Sequence, residues 1–213
     1  IEVTGNNTSI NLEGTNKTTD LLLQIEGEML LPDISPAWRL RELKLNNCKV
    51  AFGNNSRIKT KASLNLQQFK FENLNWAVPN VSDALWIENP DNCYISGCTF
   101  SYLNYGVKCS SGNSINNLTI EHSVFEYCKT GFYGIGRGVN LTASKFDHCF
   151  EKGFYLQAPA NDSRVFECQF THNPIGLEVD NSNLASRYVF INNSSFYYNQ
   201  LGLDVKQCIS SVS

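Results

Sequence analysis

The feature that most constrains this chain is a self-repeat of 21 to 29 residues. Aligned on Val50, Phe71, Phe100, Phe125, Phe146, Phe170 and Phe196, successive copies lie 21, 29, 25, 21, 24 and 26 residues apart. Five positions before each anchor stands an aliphatic residue: Leu45, Leu66, Ile95, Ile120, Leu141, Val165 and Ile191. Two positions before it stand Cys48, Phe69, Cys98, Ser123, Ser144, Cys168 and Ser194, all small except Phe69. From Phe100 onward a glycine follows six or seven residues after the anchor, at Gly106, Gly131, Gly153, Gly176 and Gly202. The next residue is apolar each time: Val107, Phe132, Phe154, Leu177 and Leu203.

Such a unit reads as a short strand, a turn holding a small residue, an inward aromatic, a polar bend and a second alternating strand. Period two puts Val107 and Cys109 on one side and Lys108 on the other. No stretch carries a sustained helical period with caps. No unit can bury its own apolar side, so units of this kind close their core by stacking. The expectation is an all-β parallel solenoid of about seven or more coils, rising about 4.8 Å per coil. The 213 residues suit one such domain, with irregular first coils over 1–42 and regular coils over about 43–205. Open solenoid ends need cover, and no amphipathic capping helix is evident, so flanking domains or a partner chain are expected to supply it. The start at Ile1, without an initiator Met, fits a removed leader or a segment of a larger protein.

Three runs carry a resemblance to a known family. Ile95-Ser-Gly-Cys-Thr-Phe100 leads to Tyr105-Gly106-Val107, Ile120-Glu-His-Ser-Val-Phe125 leads to Gly131-Phe132, and Ile191-Asn-Asn-Ser-Ser-Phe196 leads to Gly202-Leu203. From about Leu43 to Val205 the pattern resembles the right-handed parallel β-helix superfamily typified by pectate lyases. The resemblance implies a fold and leaves function open, because this scaffold carries lyases, hydrolases, adhesins and phage spikes. Arg57-Ile58-Lys59 matches a tripeptide of the polygalacturonases, but their Asn-Thr-Asp, paired Asp and Gly-His-Gly elements are missing. The Asp-Pro-His of alginate epimerases and the Asp cluster plus Arg of calcium-dependent pectate lyases are missing too.

Composition narrows the partners. A net charge of −3 with no basic stripe argues against nucleic acid. No apolar run approaches membrane-span length. Eight cysteines lack Cys-x-x-Cys spacing and none pairs with a histidine in a metal-ligand pattern, so no metal site is expected. Ten Asn-x-Ser/Thr triplets suit an extracellular or cell-surface setting, although an Asn-, Ser- and Thr-rich chain also makes them by chance.

The strand after the glycine presents an outward column of Lys108, Tyr133, Tyr155, Glu178 and Asp204, with Gln157, Asp180 and Lys206 two residues further on. In the resembled superfamily sugar chains commonly lie along such a face. Aromatic rings stack on pyranoses while carboxylates and amides bind hydroxyls, which makes Lys108, Tyr133, Tyr155, Gln157, Glu178 and Asp204 the candidate ligand-binding set. Glu178 and Asp204, if in register, stand about 5 Å apart, near a retaining-glycosidase separation. Asp180 makes calcium an alternative occupant. A carboxylate pair alone is a weak signal, and an ordinary solvated face accounts for Glu178, Asp180 and Asp204 as well, so no catalytic residue is assigned. The first reading is a non-catalytic secreted or cell-surface module that binds glycan or mediates adhesion. The alternatives are a polysaccharide lyase or glycoside hydrolase, and a structural spike or fibre segment. Segments 110–117, 158–161 and 180–186 are long enough to wall a groove.

Two further columns read as structural. Tyr102, Tyr127, His148, His172 and Tyr198 follow the anchors by two residues and should stack; with no carboxylate at a fixed partner position, neither histidine reads as a general base. Cys128 and Cys149 follow by three residues, where Asn173 and Asn199 stand in the next copies. In-register side chains point in parallel, which favours a thiol ladder there over a disulfide.

Overall fold

In the computed structural model, strands are described from residue 11 onward, and side chains over 57–206 except 60–63, 74–81, 89–92, 110–117, 137, 160–161 and 182–187. Every regular element among the described residues is a β-strand. The strands form three sheets of eight, and all pairings are parallel. One coil supplies one strand to each sheet: Cys93–Ser96 to the first, Thr99–Ser101 to the second and Tyr105–Ser110 to the third. The next coil repeats this with Leu118–Glu121, Val124–Glu126 and Thr130–Ile135. The early segment also joins in register, pairing Leu12 with Leu45, Leu23 with Val50 and Met29 with Ile58.

The register follows from which side chains can share a layer. Ile95 pairs with Leu66 and Ile120, and Phe100 pairs with Phe71 and Phe125. The aliphatic residues from Leu66 to Ile191 are buried, as are the anchor rings from Phe71 to Phe170. Successive rings from Phe71 to Phe196 stack with centroids 4.6–5.1 Å apart and planes within 10°. A one-residue slip would send every inward residue of a strand outward, so these ladders fix the register strongly.

The repeated glycine is explained by close approach. A Cβ on Gly131 would lie 2.6 Å from the Gly153 carbonyl oxygen and 2.7 Å from the Phe146 ring. Gly106, Gly153 and Gly176 meet the following glycine's carbonyl at 2.5–2.7 Å in the same way. The aromatic ladder of the second sheet leans over the start of the third and leaves no room for a Cβ at these glycines, whereas in the coil before Gly106 the buried Ala84 holds the same register position.

Two bends per coil use left-handed backbone. Gln68, Gly97, His122, Ala143, Glu167 and Asn193 close the first strand at φ 47–62°. Tyr102, Tyr127, His148, His172 and Tyr198 close the second at φ 52–60°. Each such non-glycine residue carries a conformational cost of about 1 kcal/mol or more. Inter-coil hydrogen bonds offset it: the N–H groups of His122, Tyr127 and His148 donate to the carbonyls of Thr142, Asp147 and Thr171, each at 3.1 Å.

Small residues complete the interior. Ser123 Oγ accepts from the Cys98 N–H at 3.2 Å and donates to the Glu121 carbonyl at 2.9 Å, and Ser144 does the same for Ser123 and Thr142. Asn173 Oδ1 accepts from the Cys149 N–H at 2.9 Å, and Asn199 Oδ1 accepts from the Asn173 N–H at 2.9 Å. These serine and asparagine side chains therefore satisfy buried backbone groups of the neighbouring coil. Cys128 and Cys149 are buried thiols rather than a disulfide, and Cys93, Cys98, Cys109 and Cys168 are buried as well. Burial pushes the Cys98 and Cys128 thiols up to about 12, which keeps them protonated and unreactive at neutral pH.

Phe125 has neighbours in the ladder on both sides and no exposure. Phe125→Ala should lower the unfolding free energy by about 3–5 kcal/mol, measured by urea titration. A neutral effect would mean that the ring is not in the core.

Candidate functional site

The outer face of the third sheet places the expected column in one line. Register pairs Lys59 with Trp86, Trp86 with Lys108, Lys108 with Tyr133, Tyr133 with Tyr155, Tyr155 with Glu178 and Glu178 with Asp204. A parallel column carries Gln157, Asp180 and Lys206. Alternation within each strand produces this: Val107, Cys109, Leu156 and Val179 are buried, while the residues between them face outward.

The upper part of the face is aromatic and cationic. The Lys108 ammonium lies 4.4 Å from the Trp86 ring centroid and 4.9 Å from that of Tyr105. The Arg57 guanidinium and the Lys59 ammonium also approach Trp86, at 4.9 and 5.2 Å. Lys59 is paired with Glu88 at 3.0 Å, whereas Lys108 makes no ion pair among the described residues. Trp86 Nε1 is buried and has no hydrogen-bond partner among the described residues. Tyr105 meets Tyr133 edge to face, with centroids 5.3 Å apart.

The lower part is acidic but compensated. Glu178 is only 3% exposed; its carboxylate takes Lys206 Nζ at 2.7 Å and Lys152 Nζ at 2.8 Å. Lys206 also reaches Asp204 at 3.2 Å, so its ammonium bridges the two carboxylates, where calcium would need to sit. Burial acts to raise the Glu178 carboxyl, but hydrogen bonds and charge from Lys152 and Lys206 outweigh it and hold the group below its ordinary range. A glycosidase acid needs the opposite shift. Tyr155 is 8% exposed, with Lys152 Nζ 4.1 Å from its centroid and Tyr133 on another side at 5.1 Å. Lys108 and Tyr133 retain exposed surface; Tyr155 and Glu178 lie beneath neighbouring side chains.

Sequence reasoning missed several contributors. Trp86 was legible only through register, because the coil before Phe100 is the longest and has no glycine at the expected place, while Tyr105 and Lys152 stand just before Gly106 and Gly153, outside the alternating column. The expected groove walls fall largely outside the described residues. A separate groove lies on the first sheet, lined by Asn140, Thr142, Arg164, Phe166, Phe190 and Asn192. The histidine column does stack, with His148 and His172 centroids 4.4 Å apart. The expectation that no carboxylate stands beside it is overturned: Asp147 Oδ1 lies 2.9 Å from His148 Nδ1 and 3.2 Å from His172 Nδ1. The left-handed bend at His148 turns its ring back over the strand that carries Asp147.

The lysine clamp on Glu178 has a consequence for stability. A carboxyl held below its unfolded value contributes stability above the ordinary glutamate range and loses it as pH falls through the folded value. Glu178→Gln should cost about 1–3 kcal/mol at neutral pH. The gap from the unsubstituted protein should narrow towards about pH 3, measured by urea unfolding. A gap that is independent of pH would contradict the clamp.

The described residues contain no helix long and apolar enough to cross a membrane. The chain matches no curated protein and no solved structure. The family model described as "right handed beta helix region" matches residues 57–209, which takes in the coils that carry the Phe ladder, the glycines and the outer face. With its parallel three-sheet coils, this chain belongs to the right-handed parallel β-helix family.

Proposed function

We propose that this protein is a non-catalytic, extracellular or cell-surface module that binds an extended glycan along the outer face of the third sheet. The observation that carries this reading is the strip formed by Trp86, Lys108, Tyr105 and Tyr133. Half-buried rings in a row offer apolar platforms for sugar faces, and they are held rigidly by the sheet, so little ordering entropy opposes binding. Lys108, which makes no ion pair among the described residues, supplies a charge for an acidic substituent. Gln157 and Asp204 extend the polar edge of the face, while Tyr155 and Glu178 act beneath it as support.

The lower carboxylates argue against the hydrolase and lyase reading. A carboxylate clamped by two ammonium groups is ionised and already engaged, so it serves poorly as either proton donor or base. The fibre reading keeps one support: the last coil, with Leu201 exposed and Phe196 and Leu203 only partly buried, leaves apolar surface for a flanking domain or partner chain.

A glycan array, followed by product analysis on every polysaccharide bound, tests the proposal. Binding without cleavage is expected, weakened about tenfold or more by Lys108→Ala/Tyr133→Ala, a loss of about 1.4 kcal/mol or more. Arg164→Ala should leave it unchanged. Dependence on Arg164 instead would move the site to the groove on the first sheet. Cleavage abolished by Glu178→Gln or Asp204→Asn would make the protein an enzyme.

A further inference from the structure

Beyond the sheet face, we infer that Asp147, His148 and His172 form a binding site for a borderline divalent transition metal such as Zn2+, Cu2+ or Ni2+. The three side chains come from two adjacent coils and gather their ligand atoms within 4.8 Å of one another. Asp147 ends the strand Lys145–Asp147, His148 occupies the left-handed bend after it, and His172 occupies the same bend one coil later.

The spacing is what coordination requires. Bonds of about 2.0–2.1 Å in tetrahedral geometry separate neighbouring ligand atoms by about 3.3 Å. Asp147 Oδ1 stands 2.9 Å from His148 Nδ1 and 3.2 Å from His172 Nδ1. A metal takes the place of protons along these contacts: each imidazole coordinates as the neutral ring through Nδ1 and carries its proton on Nε2. Two nitrogens and one oxygen select a borderline ion over calcium or magnesium, which prefer oxygen alone. Both histidines are nearly half exposed, 44% and 45%, so an ion can enter and water can complete its shell.

The surroundings hold the carboxylate in place. Thr171 Oγ1 donates to Asp147 Oδ1 at 2.7 Å, and Lys145 Nζ donates to Oδ2 at 2.8 Å. Such outer contacts orient a ligand and set its affinity. Lys145 also opposes the incoming charge. The rings are oriented by stacking, with Tyr127 5.2 Å from His148 and Tyr198 5.0 Å from His172. The nearly parallel rings must tilt to aim both lone pairs at one ion, which the exposed edge of the column allows.

The column itself provides the control. Tyrosine stands at the equivalent bend in Tyr102, Tyr127 and Tyr198, so His172→Tyr removes a ligand while keeping a ring in the stack. The untagged chain should bind Zn2+ by calorimetry at one ion per chain. His172→Tyr and Asp147→Asn should each weaken binding about tenfold or more. Cu2+ bound to the unsubstituted chain should show superhyperfine coupling to two nitrogens by electron paramagnetic resonance. This reading stands even if the tyrosine variant folds poorly. Absence of saturable Zn2+ binding, unchanged affinity in both variants, or a copper spectrum without two nitrogens would overturn the site.

Discussion

The structure depends on one close approach, that of the anchor rings of the second sheet to the backbone that opens the third. At Gly106, Gly131, Gly153 and Gly176 the ladder and the next glycine's carbonyl leave no space for a Cβ. The rings stack on one another at about the coil rise, so the position of one coil's glycine is set by the ring of its own coil and of the next. Register in the third sheet is thus inherited from the second. Because the outward column of the third sheet is read off that register, the placement of Lys108 and Tyr133 is a consequence of ring-on-glycine packing on the other side of their strands.

The same regularity explains what the sequence made legible. Ladders of like residues are visible because each inward position tolerates only a narrow range of size, so Ile95, Ile120 and Leu141, or Phe100, Phe125 and Phe146, announce their own alignment. The bends were not legible. Left-handed backbone is usually signalled by Gly or Asn, yet here it falls on Ala143, Glu167, His148 and Tyr198. Inter-coil hydrogen bonds hold these residues there, and such bonds leave no local trace in a chain. Asp147 was overlooked for that reason: only the bend brings His148 back beside it, and only stacking brings His172.

The outer face shows how a solenoid separates similar residues into different roles. Glu178 and Asp204 pair in register as the repeat implies, but Lys206 bridges them and Lys152 closes over Glu178 from the coil before. Lysine side chains reach across rungs because their stems are long and their heads remain near solvent. Spacing along the chain gives the carboxylate separation and does not reveal that the charges are already neutralised. At the other end of the face, Lys108 sits over Trp86 and Tyr105, where rings rather than carboxylates receive it. The face is therefore graded from an open aromatic and cationic end to a closed, charge-balanced one.

A double-mutant cycle on the ring-over-glycine contact tests the account most directly. Gly131→Ala should lower the unfolding free energy by about 1–3 kcal/mol, because its Cβ meets the Phe146 ring and the Gly153 carbonyl. Adding Phe146→Leu removes the ring, so the cost of the alanine should be smaller in that background than in the unsubstituted protein, a coupling of about 0.5 kcal/mol or more. Strict additivity, or a neutral Gly131→Ala, would contradict the claim that the glycine is required by the aromatic ladder.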